Sequence, residues 1–191
     1  MKLRVEQEGR LYRVALSSPE TRNVLDQEGC LALLRAFREA ESDQSVGAIL
    51  LEADGPLFCV ACEPHEELLS IGRTIGKPLI ASVQGVALGG GLALAANAHV
   101  VVAAQGTSFG LTGIREGVWH RAIHQAVARA VGERRAVELS LSGRVFSTPD
   151  AVAWGLVQQA APAFELEDRA EQIASEIANA SPEAVREMLK G

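Results

Sequence analysis

From Pro78 to Ile114 the chain carries no Asp, Glu, Lys or Arg, the longest such stretch in its 191 residues. A segment that uncharged is either a membrane span or the interior of a folded domain. A membrane helix needs about 18 or more consecutive apolar residues. Gln84, Asn97, His99, Gln105 and several glycines break this stretch. It therefore reads as core: a short strand over Leu79 to Val83, a glycine triplet at Gly89-Gly90-Gly91, a helix over LALAANA, and a strand over Val100 to Ala103. A helix with no charge on any face must be buried on all sides.

The flanking sequence extends the pattern. Leu11 to Leu16 is β-rich and is stopped by Ser17-Ser18-Pro19. Asp26 opens a helix in which Leu31, Leu34, Phe37 and Ala40 recur at helical spacing. Val46 to Leu51 is a continuous apolar run of strand length, which predicts a parallel strand covered on both faces. From Arg121 onward the pattern is helical, with breaks at Gly132, Gly143 and Pro182. Alternating strands and helices followed by helices predict an α/β class. The expected division is an α/β core over 1–130 and a helical C-terminal region over 131–191, the latter for oligomerisation.

Composition narrows the partners. Hydrophobic residues make up 48% and charged residues 22%, the profile of an ordinary globular chain rather than a disordered or fibrous one. The net charge of −6 argues against nucleic acid or an anionic membrane surface as the main partner. Three cysteines, Cys30, Cys59 and Cys62, are an odd count, so no disulfide framework is expected and a reducing cytoplasm fits. The opening MKLRVEQEGR has no apolar run after its charges, which is not the pattern of a signal peptide.

Two motifs carry possible chemistry. Cys59-x-x-Cys62, with Glu63 and His65 behind it, has the spacing of a redox pair or half a metal site. No second ligand pair follows, so no metal is expected and the two thiols read as small side chains filling a turn. The glycine triplet fits neither nucleotide-binding glycine pattern. Its glycines allow strained backbone angles and close approach of a ligand. The helix behind them presents free N–H groups. That combination suits an anion or an oxyanion; tight strand–helix packing would also explain it.

LFCVACE (Leu57 to Glu63) and KPLIASVQGVALGGGLALAANAHVVVA (Lys77 to Ala103) together resemble the crotonase, or enoyl-CoA hydratase/isomerase, superfamily. There, a turn of the type F-C-A-G-A-D follows one strand, and K-P-V-I-A-A-V-N-G-x-A-x-G-G-G follows the next. Ser17 to Asp26, Thr107 to Trp119 and Val131 to Pro162 resemble further segments of the same family, in order, so nearly the whole chain is covered. The resemblance implies a crotonase-like spiral of β-β-α turns with a C-terminal helical region. It implies a coenzyme A or carrier-protein thioester as the small-molecule partner, with coenzyme A part of the substrate and no tightly bound cofactor. It also implies a homo-oligomer, a trimer or hexamer. Two backbone N–H groups would grip the thioester oxygen as an enolate forms; by position they fall on Cys62 and Gly90. Arg22, Asn23 and Val24 match the part that holds the coenzyme A end.

The chain also departs from the family pattern. The two glutamates of the family's hydratases fall on Ala93 and Gly113, and Thr112 replaces the proline beside the second. A positioned acid or base contributes roughly 10²–10⁴-fold, so ordinary hydratase activity is not expected. An isomerase, a lyase of the decarboxylase type or a hydrolase fits, as does a non-catalytic scaffold that keeps the fold. For proton transfer the first candidate is His120, whose unperturbed pKa of about 6.5 suits neutral pH, with His124 one helical turn on to orient it. Glu116, three residues beyond Gly113, is the second. Glu63 and His65 are weaker. The alanine-rich tail and Trp154 are expected to need cover from another subunit.

Overall fold

The structure is a computed structural model and describes residues 1–190. Nine strands form two sheets. In the larger, β1 (Leu3–Glu8) turns back at Gly9 as a hairpin onto β2 (Leu11–Leu16). β3 (Ala48–Ala53) and β4 (Leu79–Val83) continue it in parallel. The smaller sheet begins with β5 (Val86–Leu88). β6 (Val100–Ala104) adds to the large sheet, and β7 (Ser108–Gly110) adds to the small one. β8 (Val145–Ser147) closes the small sheet antiparallel to β7, and β9 (Gln159–Ala161) closes the large one beside β6.

The helices follow the strands. α1 (Gln27–Ser42) precedes β3, and α2 (Gly90–Ala96) follows β5. α3 (Arg121–Val131) and α4 (Glu133–Ser142) lie between β7 and β8. α5 (Thr148–Ala153) precedes β9, and α6 (Leu166–Ala178) and α7 (Pro182–Lys190) end the described chain. Each turn of the spiral lays one strand in each sheet and then a helix, as β4-β5-α2 and β6-β7-α3 do. Gly85 makes the first step possible. It holds φ +64°, and a Cβ there would overlap the Pro56 carbonyl oxygen.

The parallel strands read as largely apolar runs because both faces are covered, with Arg13, Glu52 and Ser82 as buried polar exceptions. One face of β3, β4 and β6 turns Leu50, Ile80 and Val102 toward Ala170, Ala174 and Ala178 of α6. The other turns Ile49, Leu51, Leu79 and Ala81 into the main core with Leu33 and Phe37 of α1. α2 is buried from Gly90 to Ala95, as its lack of charge requires. Asp26 caps α1 by accepting from Gly29 N at 2.8 Å.

Two corrections concern the tail. Residues 131–191 are not purely helical: β8 and β9 join the two sheets, and α6 covers the larger one. Trp154 is half-buried within the chain, against Phe146 at 4.9 Å and the Arg135 guanidinium at 4.3 Å, so it is partly covered without another subunit. At the other end of the chain the edge strand β1 was not expected, because only Leu3 and Val5 alternate before the strand turns wholly polar.

One charged cluster pins α6 to the sheet. Arg13 on β2, with a side chain 8% exposed, reaches Glu52 at 3.1 Å and Glu171 at 2.7 Å. Its removal leaves Glu52, itself 12% exposed, only Arg4 at 3.4 Å. Breaking a buried pair from one side costs about 3–5 kcal/mol. Arg4 and solvent at the rim moderate this, so Arg13→Ala is expected to destabilise by about 3 kcal/mol, read by urea denaturation. No helix among the described residues is long and apolar enough to cross a membrane.

Candidate active site

A cavity of about 410 Å³ opens where the turn after β3, the start of α2 and helices α3 and α4 meet. Val60, Leu88, Leu111 and Ile123 give it apolar walls. Its polar lining comes from Arg22, Thr112, Glu116, His120, His124 and Ser140.

Hydrogen bonds on both sides set the turn that carries Cys62. Cys59 N donates to Val86 O at 3.1 Å, and Leu88 N donates to Cys59 O at 3.1 Å, which stitches the turn to β5. On the other side Leu25 N donates to Ala61 O at 3.0 Å, and Glu63 N donates to Leu25 O at 2.8 Å. Neighbouring N–H groups in an extended segment point to opposite sides. With Glu63 N–H directed at Leu25, the Cys62 N–H faces away from it. Among the described residues it has no protein acceptor.

Gly90 begins α2, so its N–H is one of the donors a helix start leaves without an intrahelical partner. It too has no acceptor among the described residues. The two backbones touch. A Cβ on Gly90 would overlap the Cys62 carbonyl oxygen and come within 2.7 Å of Cys62 Cβ. Gly89 before it holds φ +51° and donates to Gly110 O at 2.8 Å, fixing where the helix starts.

The thiols pair across elements, not along the Cys59-x-x-Cys62 motif. Cys30 Sγ on α1 lies 3.5 Å from Cys62 Sγ, while Cys59 Sγ donates to Ala61 O at 3.1 Å. Burial pushes the Cys59 thiol up to about 12. The Cys62 thiol is raised by its hydrogen bond to Cys30 and by burial, and the same bond lowers Cys30.

The expected coenzyme A residues divide. Arg22 and Val24 line the cavity, and Arg22 is exposed in a left-handed conformation at φ +57°. Asn23 does not line it. Its amide nitrogen donates to Asp54 O at 3.0 Å and Leu57 O at 2.9 Å, and its oxygen accepts from Ser18 N at 2.9 Å. With every strong polar atom of its side chain engaged inside, Asn23 shapes the loop and cannot offer that side chain to a ligand.

His120 and Glu116 both reach the cavity wall. Glu116 ends a 3₁₀ turn over Thr112–Glu116, and His120 stands just before α3. Neither side chain has a hydrogen-bond partner among the described residues. His124 does not orient His120. Its Nδ1 lies 3.0 Å from Ser140 Oγ and its Nε2 lies 3.1 Å from Glu133 Oε1. Glu63 and His65 lie outside the cavity lining, and His65 Nδ1 accepts from Leu68 N at 3.3 Å. Gly113 lines the cavity, whereas Ala93 is fully buried in α2. Ser140 and Glu133 were missed from the sequence. They stand on a different helix from His124, and no short motif joins the three.

The model of the enoyl-CoA hydratase/isomerase family matches residues 60–191. A candidate enoyl-CoA hydratase of Thermus thermophilus is 32% identical, over 94% of this chain and 79% of its own. A mevalonyl-coenzyme A hydratase of Aspergillus fumigatus is 29% identical, over 93% of this chain and 73% of its own. The crystal structure of a candidate enoyl-CoA hydratase/isomerase (crotonase) from Legionella pneumophila superposes with a TM-score of 0.91 at 28% identity, covering 97% of this chain and 80% of that one. On its fold and on this match over most of its length, the chain belongs to the enoyl-CoA hydratase/isomerase family.

Proposed function

We propose that the chain binds an acyl thioester of coenzyme A, or of a carrier protein, and stabilises its enolate, acting as an isomerase, lyase or hydrolase. The observation that carries this reading is the pair of acceptor-free N–H groups, Cys62 and Gly90, on touching backbones beside one apolar-walled cavity. Donors aimed at developing charge in a water-poor site are the strongest single catalytic device for acyl thioesters. Arg22 and Val24 at the cavity rim suit the coenzyme A end. The hydratase glutamate positions hold Ala93 and Gly113, so water addition to an enoyl thioester is not the expected reaction.

His120 and Glu116 are the groups proposed to move the proton. Both are titratable, face the cavity and are free of competing partners. A homo-oligomer, a trimer or hexamer, working in the cytoplasm completes the reading. Leu141 at 72% exposure and Phe164 at 85% are apolar side chains left for such contacts.

Isothermal titration with acetyl-CoA and acetoacetyl-CoA tests binding, and a panel of enoyl, malonyl and hydrolysable thioesters tests turnover. Absence of binding to every coenzyme A species would sink the reading. On the best substrate of the panel, His120→Gln is expected to lower kcat about 100-fold or more. Glu116→Gln is expected to act in the same direction. If both keep full kcat, the proton moves elsewhere.

A further inference from the structure

The α3–α4 wall of the cavity holds a polar trio that enolate chemistry does not use. Ser140 faces inward from α4, is 7% exposed and lines the cavity beside His124. Its Oγ lies 3.0 Å from His124 Nδ1, and His124 Nε2 lies 3.1 Å from Glu133 Oε1. An ionised carboxylate can only accept hydrogen bonds. The Glu133 carboxylate therefore places the imidazole proton on Nε2. Nδ1 is then an acceptor, and the Ser140 hydroxyl donates into it. That leaves the Oγ lone pairs unengaged and its proton already directed at a base.

Nucleophile, base and orienting acid within hydrogen-bond reach, in that order, are the signature of an activated serine. The His124 side chain is 12% exposed and its ring lies 5.8 Å from that of Trp119, which restricts its orientation. Glu133 is 73% exposed, so solvent weakens its pull, but orienting the tautomer needs only the hydrogen bond.

We propose that Ser140, His124 and Glu133 form an acyl-transfer triad that hydrolyses the thioester held in this cavity. The proposal rests on the thioester-binding reading above and takes its hydrolase branch, in which His124, and not His120 or Glu116, carries the proton. Ser140 Oγ bonds to the thioester carbonyl carbon as its proton passes to His124 Nδ1. The oxygen that becomes negative is the one assigned to the Cys62 and Gly90 N–H groups. The carbon–sulfur bond then breaks, and the departing sulfur takes the proton from His124 and leaves as a free thiol. Water next gives a proton to His124 and its oxygen to the acyl carbon. Ser140 Oγ leaves with that proton, restoring the serine. One thioester and one water become one carboxylic acid and one thiol, with no other reactant.

The test is labelling by a fluorophosphonate, which reacts with activated serines and needs no coenzyme A. Wild type, Ser140→Ala and His124→Gln are compared by intact mass and peptide mapping. One adduct on Ser140 is expected in wild type and none on Ser140→Ala. Labelling in His124→Gln should be at least 100-fold slower. Release of free thiol from acetyl-CoA should fall at least 100-fold in Ser140→Ala, while its acetyl-CoA binding by titration stays at the wild-type level and shows the fold intact. No adduct on Ser140 in wild type, with acetyl-CoA still bound, overturns the triad and leaves the thioester site standing. Failure of wild type to bind acetyl-CoA would instead defeat the thioester reading, and with it thioester hydrolysis, whatever the label finds.

Discussion

Gly90→Ala is expected to lower kcat/KM at least 100-fold on any thioester the cavity turns over. The new Cβ would overlap the Cys62 carbonyl oxygen and press on Cys62 Cβ at 2.7 Å. Both obstacles belong to a turn held from two sides by Leu25 and by β5, so neither can move away without breaking those bonds. Overpacking of this kind costs about 1–3 kcal/mol, which the fold can absorb. The two N–H groups, however, must separate or tilt. Loss of one well-aimed oxyanion donor costs about 10²–10³ in kcat. Steady-state kinetics beside a thermal melt separates the two effects: a modest fall in Tm with a large fall in kcat/KM is the expected pair.

Cys62 supplies the second large effect and a sharp contrast. Cys62→Pro removes the N–H itself, so thioester turnover should disappear. Cys62→Ala keeps the N–H and loses only the thiol's two contacts, with Cys30 Sγ at 3.5 Å and with Glu63 O at 3.3 Å. It should retain activity within a few-fold of wild type. Circular dichroism on both variants shows whether the proline is accommodated. If Cys62→Ala alone abolishes activity in a folded protein, the thiol takes part in the chemistry and the backbone assignment is wrong.

Legibility in the sequence followed burial. Leu79–Val83 could be read at its bounds because a parallel strand covered on both faces is largely apolar, and Leu11–Leu16 because its β-rich composition is stopped at Ser17-Ser18-Pro19 despite the buried Arg13. β5, β7, β8 and β9 were not legible. Each has three residues, too few for a periodic pattern, and is defined by the strand beside it. β1, LRVEQE, is an exposed edge whose polar residues conceal a hairpin partner.

The site divided differently. Backbone donors leave no mark in composition, since every residue but proline has one: the glycine triplet before a helix pointed to an oxyanion site near Gly90, but Cys62 was reachable only through the family resemblance. Asn23 stood in a motif beside an arginine and invited a ligand role, but a left-handed backbone at φ +54° turned its amide inward. The Ser140–His124–Glu133 contacts join α3 and α4 across a helix–helix packing. No spacing along one helix foretells them.

The most direct test of the central claim is the carbonyl vibration of a bound thioester. An isotope-edited infrared difference spectrum of acetyl-CoA labelled at the acetyl carbonyl carbon isolates that bond. Two N–H donors on the oxygen would polarise it, so the stretch should move to lower frequency in wild type and in Cys62→Ala. It should return toward the free value in a folded Cys62→Pro that still binds. A carbonyl at its free-solution frequency in the wild-type complex would contradict the account, because the ligand would then be held without the donors on which the proposed chemistry depends.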